Sequence, residues 1–266
     1  MPPRIVVVIP CRDDADYLDA CLSALDRQTR RPDEVIVVDN ASTDATAGVA
    51  RAHGATLLRE ERVGIWPAAA RGYDDAAASA DIIARVDADS RPHPDWVARL
   101  ERAFAEDEAL GVLTGGAEFY DCSRLVAYLG SHWYIGGGRV WIGLWLGIPL
   151  VFGSNFAMRV AVWERVRDRV RRADPHVHDD LDLTIHLHAD DGVRWDRTLT
   201  MPVSARPLVH VGGLLRRVWR VVETFAASWP DGRFRAARRQ VSSLVDPLSS
   251  PYADPPGEPA AGSHPA

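Results

Sequence analysis

The sequence predicts an α/β protein, a mostly parallel sheet with helices on both faces, on three observations. Apolar β-branched runs alternate with helical apolar stripes through the first hundred residues, the pattern of repeated strand–helix units. The connections between them are short and built from turn residues, which favours crossovers into a single sheet. The strand-like runs are apolar throughout instead of alternating, as strands buried under two helical layers are.

Residues 5–10 form the first buried strand. A helix follows from about Ala15, with Tyr17, Leu18, Cys21, Leu22 and Leu25 on one stripe. Arg31-Pro32-Asp33 turns the chain into a second strand over 35–38 that ends at Asp39. Ser42 or Thr43 is placed to cap the next helix, and Gly54 to stop it. A short strand at 56–58 precedes an Ala-rich helix opened by Pro67 and running to Ala80. The strand at 81–86 delivers Asp87 and Asp89, and Pro94-Asp95-Trp96 opens another helix. In open α/β sheets ligands sit beyond the carboxyl ends of the strands, where Asp13, Asp39 and Asp89 all fall.

Composition excludes several classes of function. The chain has 266 residues, enough for one large domain or two small ones. A net charge of −6 argues against a general nucleic-acid binder. All 31 basic residues are Arg and none is Lys, which excludes an ordinary P-loop, a Lys Schiff base and a pyridoxal enzyme. Cys11, Cys21 and Cys122 lack metal-ligand spacing and read as reduced thiols of a cytosolic protein. Met1-Pro2-Pro3-Arg4 leads straight into a strand, without the look of a secretory signal.

Asp87-Ala88-Asp89 is the most informative motif. Side chains alternate along an extended chain, so both carboxylates share one face. Burying two unpaired anions is costly, and a hard cation with oxygen ligands relieves the cost. Mg²⁺ or Mn²⁺ on one or two carboxylates commonly carries substrate phosphates as well. A solvated turn at the strand end is the plainer alternative for any Asp-x-Asp taken alone.

The motifs in order are Val8-Ile9-Pro10-Cys11-Arg12-Asp13, Val38-Asp39-Asn40-Ala41-Ser42-Thr43-Asp44, Gly64 to Arg71, Asp87-Ala88-Asp89, Gly153-Ser154-Asn155 and Asp179-Asp180-Leu181-Asp182-Leu183. Together they resemble the family-2 glycosyltransferases of GT-A fold, a Rossmann-like nucleotide-sugar domain, over roughly residues 4–210. The resemblance implies a GT-A domain at 1–210, with a nucleotide-sugar half at 1–110 and an acceptor half at 111–210. A helical extension at 211–247 and a Pro-, Gly- and Ser-rich tail at 248–266, expected to be disordered, would follow.

Residue by residue, the resemblance makes Asp39 the acid that accepts a hydrogen bond from the nucleotide base, with Pro10 and Arg12 lining the same pocket. Arg12 departs from the usual aromatic, and its guanidinium would stack on the base or meet phosphate. Arg71 matches the Arg of an Ala-Ala-Arg-Asn stretch whose Asn is here Gly72. Asp89 becomes the direct metal ligand, and Asp87 reaches the ribose or the metal. Asp180 takes the place of the catalytic base, while Asp179 stands where Glu is usual. Like-charged neighbours are expected to raise the Asp180 pKa. Asn155, Asp179 and Asp182 are expected in the loop that meets acceptor or donor sugar, and Arg159 falls where the family often has a basic residue. A helix N-terminus loaded with acids is the plainer reading of 179–182. His210 is a further candidate for the metal or diphosphate, whereas His178 and His186 read as ordinary histidines.

Residues 133–152 are apolar and Trp-rich, long enough to span a bilayer, but Gly136-Gly137-Gly138, Arg139 and Pro149 argue against spanning. Core packing with an exposed apolar lip, or an interfacial patch of Trp133, Trp141 and Trp145, are the two alternatives. The helix expected at 214–229 pairs an apolar face with Arg216, Arg217 and Arg220, fitting either the core or an anionic membrane.

The expectation is therefore an inverting transferase that uses Mg²⁺ or Mn²⁺ and a nucleoside-diphosphate sugar, UDP-linked by family frequency. Its hydroxyl acceptor would be a lipid-linked or cell-envelope glycan, reached from the cytoplasm at the membrane's inner face. Two alternatives stand beside it: a non-catalytic nucleotide-sugar-binding or membrane scaffold protein, and a sugar-1-phosphate nucleotidyltransferase. The last should carry a glycine-rich loop after the first strand, and Pro10-Cys11-Arg12-Asp13-Asp14 is not one.

Overall fold

The computed structural model describes residues 2–174, 177–206 and 211–228. Its first half runs β1 (Ile5–Cys11), α1 (Ala15–Asp26), β2 (Glu34–Asp39), α2 (Thr46–Ala52), β3 (Thr56–Arg59), α3 (Ile65–Ala76) and β4 (Ile82–Arg85). Then come α4 (Trp96–Glu106), β5 (Val112–Phe119), α5 (Arg124–Leu129), a π-helical stretch Gly130–Gly137 and α6 (Gly138–Leu146). The last elements are β6 (Phe156–Arg159), α7 (Val160–Val166), α8 (Asp179–His186), β7 (Val193–Val203) and α9 (Val211–Ser228).

All seven strands form one sheet in the order β3-β2-β1-β4-β6-β5-β7. Pairing is parallel except at β6, which runs antiparallel to β4 and to β5. The α/β architecture expected from sequence is the one found. Strand alternation divides the core in two. Ile5, Val7 and Ile9 pack with α1 and α4, while Val6 and Val8 pack with α3, α7 and α8. Gly72 is explained by this packing: a Cβ there would fall 2.3 Å from Val8 and 2.9 Å from Val38. Helix α3 therefore lies directly on β1 and β2.

Local expectations need two corrections. Helix α2 begins at Thr46, after Ser42 and Thr43, and the backbone N–H of Thr46 donates to Asp44 Oδ1 at 2.9 Å. Helix α3 begins two residues before Pro67 and ends at Ala76; a proline in the first turn costs no hydrogen bond, since those N–H groups have no helical partner. An apolar-run criterion does not single out β5, β6 or β7. The first carries Gly115 and Gly116, the second has four residues, and the third bears Arg194, Asp196 and Arg197.

The Trp-rich segment takes the first of its sequence alternatives, core packing with an exposed apolar lip. Helix runs unbroken from Arg124 to Leu146 through the π stretch, and beyond it Ile148 and Val151 are core residues. Trp141 and Trp145 point outward. Among the described residues no helix is long and apolar enough to cross a membrane. Cys11 and Cys21 are free and buried, and burial pushes the Cys11 thiol up to about 12.

Candidate active site

The carboxyl ends of β1, β2 and β4 share one edge of the sheet because these strands are parallel neighbours. Cys11 pairs with Asp39 and Val8 with Arg85, so Pro10, Asp39 and Asp87 leave the sheet side by side. Asp39 is buried, and its Oδ1 accepts the Ser42 N–H at 2.9 Å. Asn40 donates from Nδ2 to the carbonyls of Glu60 and Arg62 at 3.0 and 2.7 Å, and accepts the Gly64 N–H at 2.7 Å. One side chain thus ties the loop ahead of α3 to the same edge.

Asp13 has φ +50°, unfavourable for a residue with a Cβ. The residues expected to cap α2 hold it there instead. Ser42 Oγ accepts the Asp13 N–H at 3.1 Å, while Thr43 donates its N–H and hydroxyl to Asp13 Oδ1 at 2.7 and 3.1 Å. Arg12 is exposed, with Nε 3.6 Å from Asp13. Arg71 is exposed on α3; with Arg62, and against the effect of burial, it holds the Glu60 carboxyl below its ordinary value.

Asp87 and Asp89 have different surroundings. Asp87 Oδ1 accepts from Arg85 Nη2 at 2.9 Å and its Oδ2 accepts from Ser154 Oγ at 2.5 Å. Among the described residues, the cation paired with Asp89 is Arg206, with Nη2 3.4 Å from Oδ2. That guanidinium grips Asp14 at 2.7 and 3.1 Å and lies 3.9 Å above the Tyr17 ring. Burial and the neighbouring Asp87 charge push the Asp89 carboxyl up to about 6, against the pull of Arg206. A carboxylate so placed is one that a bound cation would relieve.

Helix α8 brings the second acidic group to this edge. Asp179 is buried and accepts from Arg85 Nη1 through Oδ2. Asp180 Oδ2 accepts the Gly153 N–H at 3.2 Å, and its Oδ1 lies 2.6 Å from His178 Nδ1. Gly153 lies close enough to Arg85 that a Cβ would sit 3.3 Å from the guanidinium. Burial would raise the Asp180 carboxyl, but His178 and Arg85 outweigh it and hold it below the usual range. The expected upward shift is thereby corrected: the neighbours that count are cations. Ligand atoms of His178, Asp179 and Asp180 all lie within 4.8 Å of one another.

A family model described as "Glycosyl transferase family 2" matches residues 6–167, well over half of the chain. The chain belongs to that family. Among curated relatives of this family-2 member, glycosyltransferase AglE of Haloferax volcanii is 33% identical over 123 residues, 43% of this chain and 39% of AglE. The chain thus spans about two fifths of that relative's length. In structure it is similar to a mannosyltransferase from Pyrobaculum calidifontis in complex with GDP-Man and Mn²⁺, with a TM-score of 0.63 at 21% identity over 92% of this chain and 74% of that one. It is also similar to glucosyl-3-phosphoglycerate synthase from Mycobacterium tuberculosis in complex with Mn²⁺, UDP-glucose and phosphoglyceric acid, with a TM-score of 0.57 at 20% identity over 82% of this chain and 79% of that one. These likenesses establish the shared fold.

Within this family-2 fold the sheet edge brings Pro10, Asp39, Asp87 and Asp89 together, and α8 adds Asp179 and Asp180 through Arg85. Two residues expected at the sugar turn inward. Asn155 is fully buried, accepting from Trp96 Nε1 at 2.9 Å and donating to the carbonyls of Gly116 and Leu199 at 3.0 and 2.7 Å. Asp182 is fully buried and accepts from Trp66 Nε1 at 2.9 Å and the Arg171 N–H at 2.7 Å. Arg159 caps the carbonyls of Phe104, Asp107 and Leu110. His210 lies outside the described residues. Sequence reasoning misses Arg85, Arg206 and the His178–Asp180 contact. Arg85 alone left a signal: a charge in the middle of an apolar strand needs buried partners.

Proposed function

We propose that this chain is an inverting, metal-dependent glycosyltransferase moving a sugar from a UDP-linked donor to a hydroxyl of a glycan or lipid-linked acceptor at the cytoplasmic face of the membrane. The observation that carries this is the buried Arg85, which bonds both Asp87 and Asp179 and so draws the Asp-x-Asp acids and Asp180 into one cluster. Asp39 would receive the base. With one oxygen taken by Ser42, its other oxygen suits a single imide N–H such as that of uracil.

Asp89, assisted by Asp87, would hold Mg²⁺ or Mn²⁺, and the elevated Asp89 pKa fits a carboxylate in need of a cation. When bound, the ion would supply Lewis-acid neutralisation of the departing diphosphate. Asp180 would accept the acceptor hydroxyl's proton, oriented by the Gly153 N–H and by His178. Ionisation of Asp180 well below neutrality leaves it ready as a base at physiological pH. Inversion follows from the family resemblance, through a single displacement opposite the leaving group.

The test is a panel of labelled UDP- and GDP-sugars incubated with Mn²⁺ and a membrane extract, using the parent and Asp180→Asn. The expected result is transfer by the parent only, with metal-dependent nucleotide binding kept in both. Binding without transfer by the parent would favour the non-catalytic alternative. Undiminished turnover by Asp180→Asn would remove Asp180 from its role.

A further inference from the structure

The site leaves unused an apolar surface on α5, α6 and α9. Leu125 and Leu129 are four apart on α5 and are 67% and 45% exposed. Trp141 and Trp145, again four apart, share a face of α6 and are 70% and 55% exposed. On α9, Trp219 and Val222 are three apart and are 63% and 51% exposed. The Trp145 ring meets Phe225 at a centroid separation of 6.1 Å, so α6 and α9 contribute to one surface. An isolated exposed Trp needs no explanation, but three of them with leucines on adjoining helices do.

The opposite side of α9 faces the protein. Thr224 and Ser228 are buried; Thr224 Oγ1 accepts the His178 N–H at 2.8 Å, and Ser228 Oγ accepts from Arg171 Nη1 at 3.0 Å. Helix α9 is therefore amphipathic, bolted to the segment that carries Asp180 and presenting Trp219 and Val222 outward.

Charge identifies the partner. The whole chain carries −6, yet residues 122–146 contain Arg124 and Arg139 and no acid, and α9 contains Arg216, Arg217 and Arg220 against the single Glu223. Two segments that are cationic in sequence and bear exposed Trp, within an acidic protein, complement an anionic bilayer, where indoles settle at headgroup level and basic segments are drawn to lipid phosphates. A second copy of the chain would instead set these like charges against one another. We propose that α5, α6 and α9 form one in-plane docking face for an anionic membrane surface, with the indoles of Trp141, Trp145 and Trp219 as anchors. It deepens the acceptor side of the function proposed above, because α9 holds the Asp180 segment and would bring it near the headgroups.

The experiment is vesicle co-sedimentation of the 266-residue chain, which reads binding alone and so stands or falls separately from transfer. Vesicles of phosphatidylcholine alone are compared with vesicles of phosphatidylcholine mixed with phosphatidylglycerol, which carry the negative surface potential that draws basic segments. Parent protein should sediment with the anionic vesicles only, and release should follow added salt. Trp141→Ser/Trp219→Ser should lower partitioning more than tenfold with a nearly unchanged melting temperature, since both side chains are mostly exposed and Trp145, which packs on Phe225, is kept. Arg216→Gln/Arg217→Gln, as an independent variant, should lower it about fivefold per charge removed. Absence of parent binding, or binding indifferent to both variants, overturns the proposal. A dimer in sedimentation equilibrium that the Trp variant converts to monomer, without vesicle binding by either protein, also overturns it and assigns the face to a second copy.

Discussion

Arg85 on β4 and Asp179 at the start of α8 form a buried ion pair that joins the two acidic motifs of this protein. The same guanidinium bonds Asp87 at 2.9 Å and lies 3.4 Å from the Tyr73 hydroxyl. A buried pair is weak evidence of net stability, but removing one partner strands the other. Arg85→Met should therefore cost roughly 3–5 kcal/mol in urea unfolding. Adding Asp179→Leu should recover part of that loss, because no buried carboxylate is then left alone. A single variant within about 1 kcal/mol of the parent would mean that solvent, not Arg85, compensates Asp179.

In the proposed mechanism His178 would have a separable role, through its contact with Asp180. It and Arg85 hold the Asp180 carboxyl low against the effect of burial. Replacing His178 with Gln removes the imidazole that favours the Asp180 anion and lets burial count for more, so the Asp180 pKa should rise. The acidic limb of the kcat/KM profile should then move to higher pH, while the metal dependence of nucleotide binding stays as it was. An unmoved limb would show that another group sets it.

Asp89 gives the opposite sign. Its folded pKa of about 6 lies above the ordinary 3.8, so between those values the folded chain holds a proton that the unfolded chain releases. Stability contributed by this group is present at low pH and lost as pH rises through about 6, by at most roughly 3 kcal/mol. Asp89→Asn should therefore raise the melting temperature of the metal-free protein at pH 7.5. Mn²⁺ should stabilise the parent but not the variant, and its affinity for the parent should fall as pH drops below about 6. Equal Mn²⁺ stabilisation of both proteins would place the ion elsewhere.

The sheet-edge acids were legible because apolar strands ending in acids are a local signal. Each of Asp39, Asp87 and Asp89 is found at the end of its strand, and register does the rest. The second half was less legible, for two physical reasons. Strands β5 and β7 pair through a bulge between Gly115 and Gly116 and carry charges on their open face, so neither reads as an apolar run. Four acidic and imidazole groups crowd α8, and linear spacing cannot tell a face that meets substrate from one that meets core. The structure divides them: Asp180 meets Gly153 and His178, while Asp182 and His186 lie in the interior.

That division makes a last prediction. Asp182 was expected near the sugar, yet it joins α8 to Trp66 on α3 and to Arg171, with Arg171 Nη1 3.4 Å from its Oδ1. An acid buried between an indole N–H, a backbone N–H and a guanidinium is a structural bracket whose loss strands two donors, the Trp66 indole and the Arg171 N–H. Asp182→Ala should cost roughly 3–5 kcal/mol in denaturant unfolding, and Trp66→Phe, which removes only one donor, about 1 kcal/mol. For the folded fraction of Asp182→Ala below its melting temperature, KM for donor and acceptor should stay near the parent values. A variant of normal stability whose acceptor KM rises tenfold would return Asp182 to the substrate, and would require α8 to turn about its axis when substrate binds.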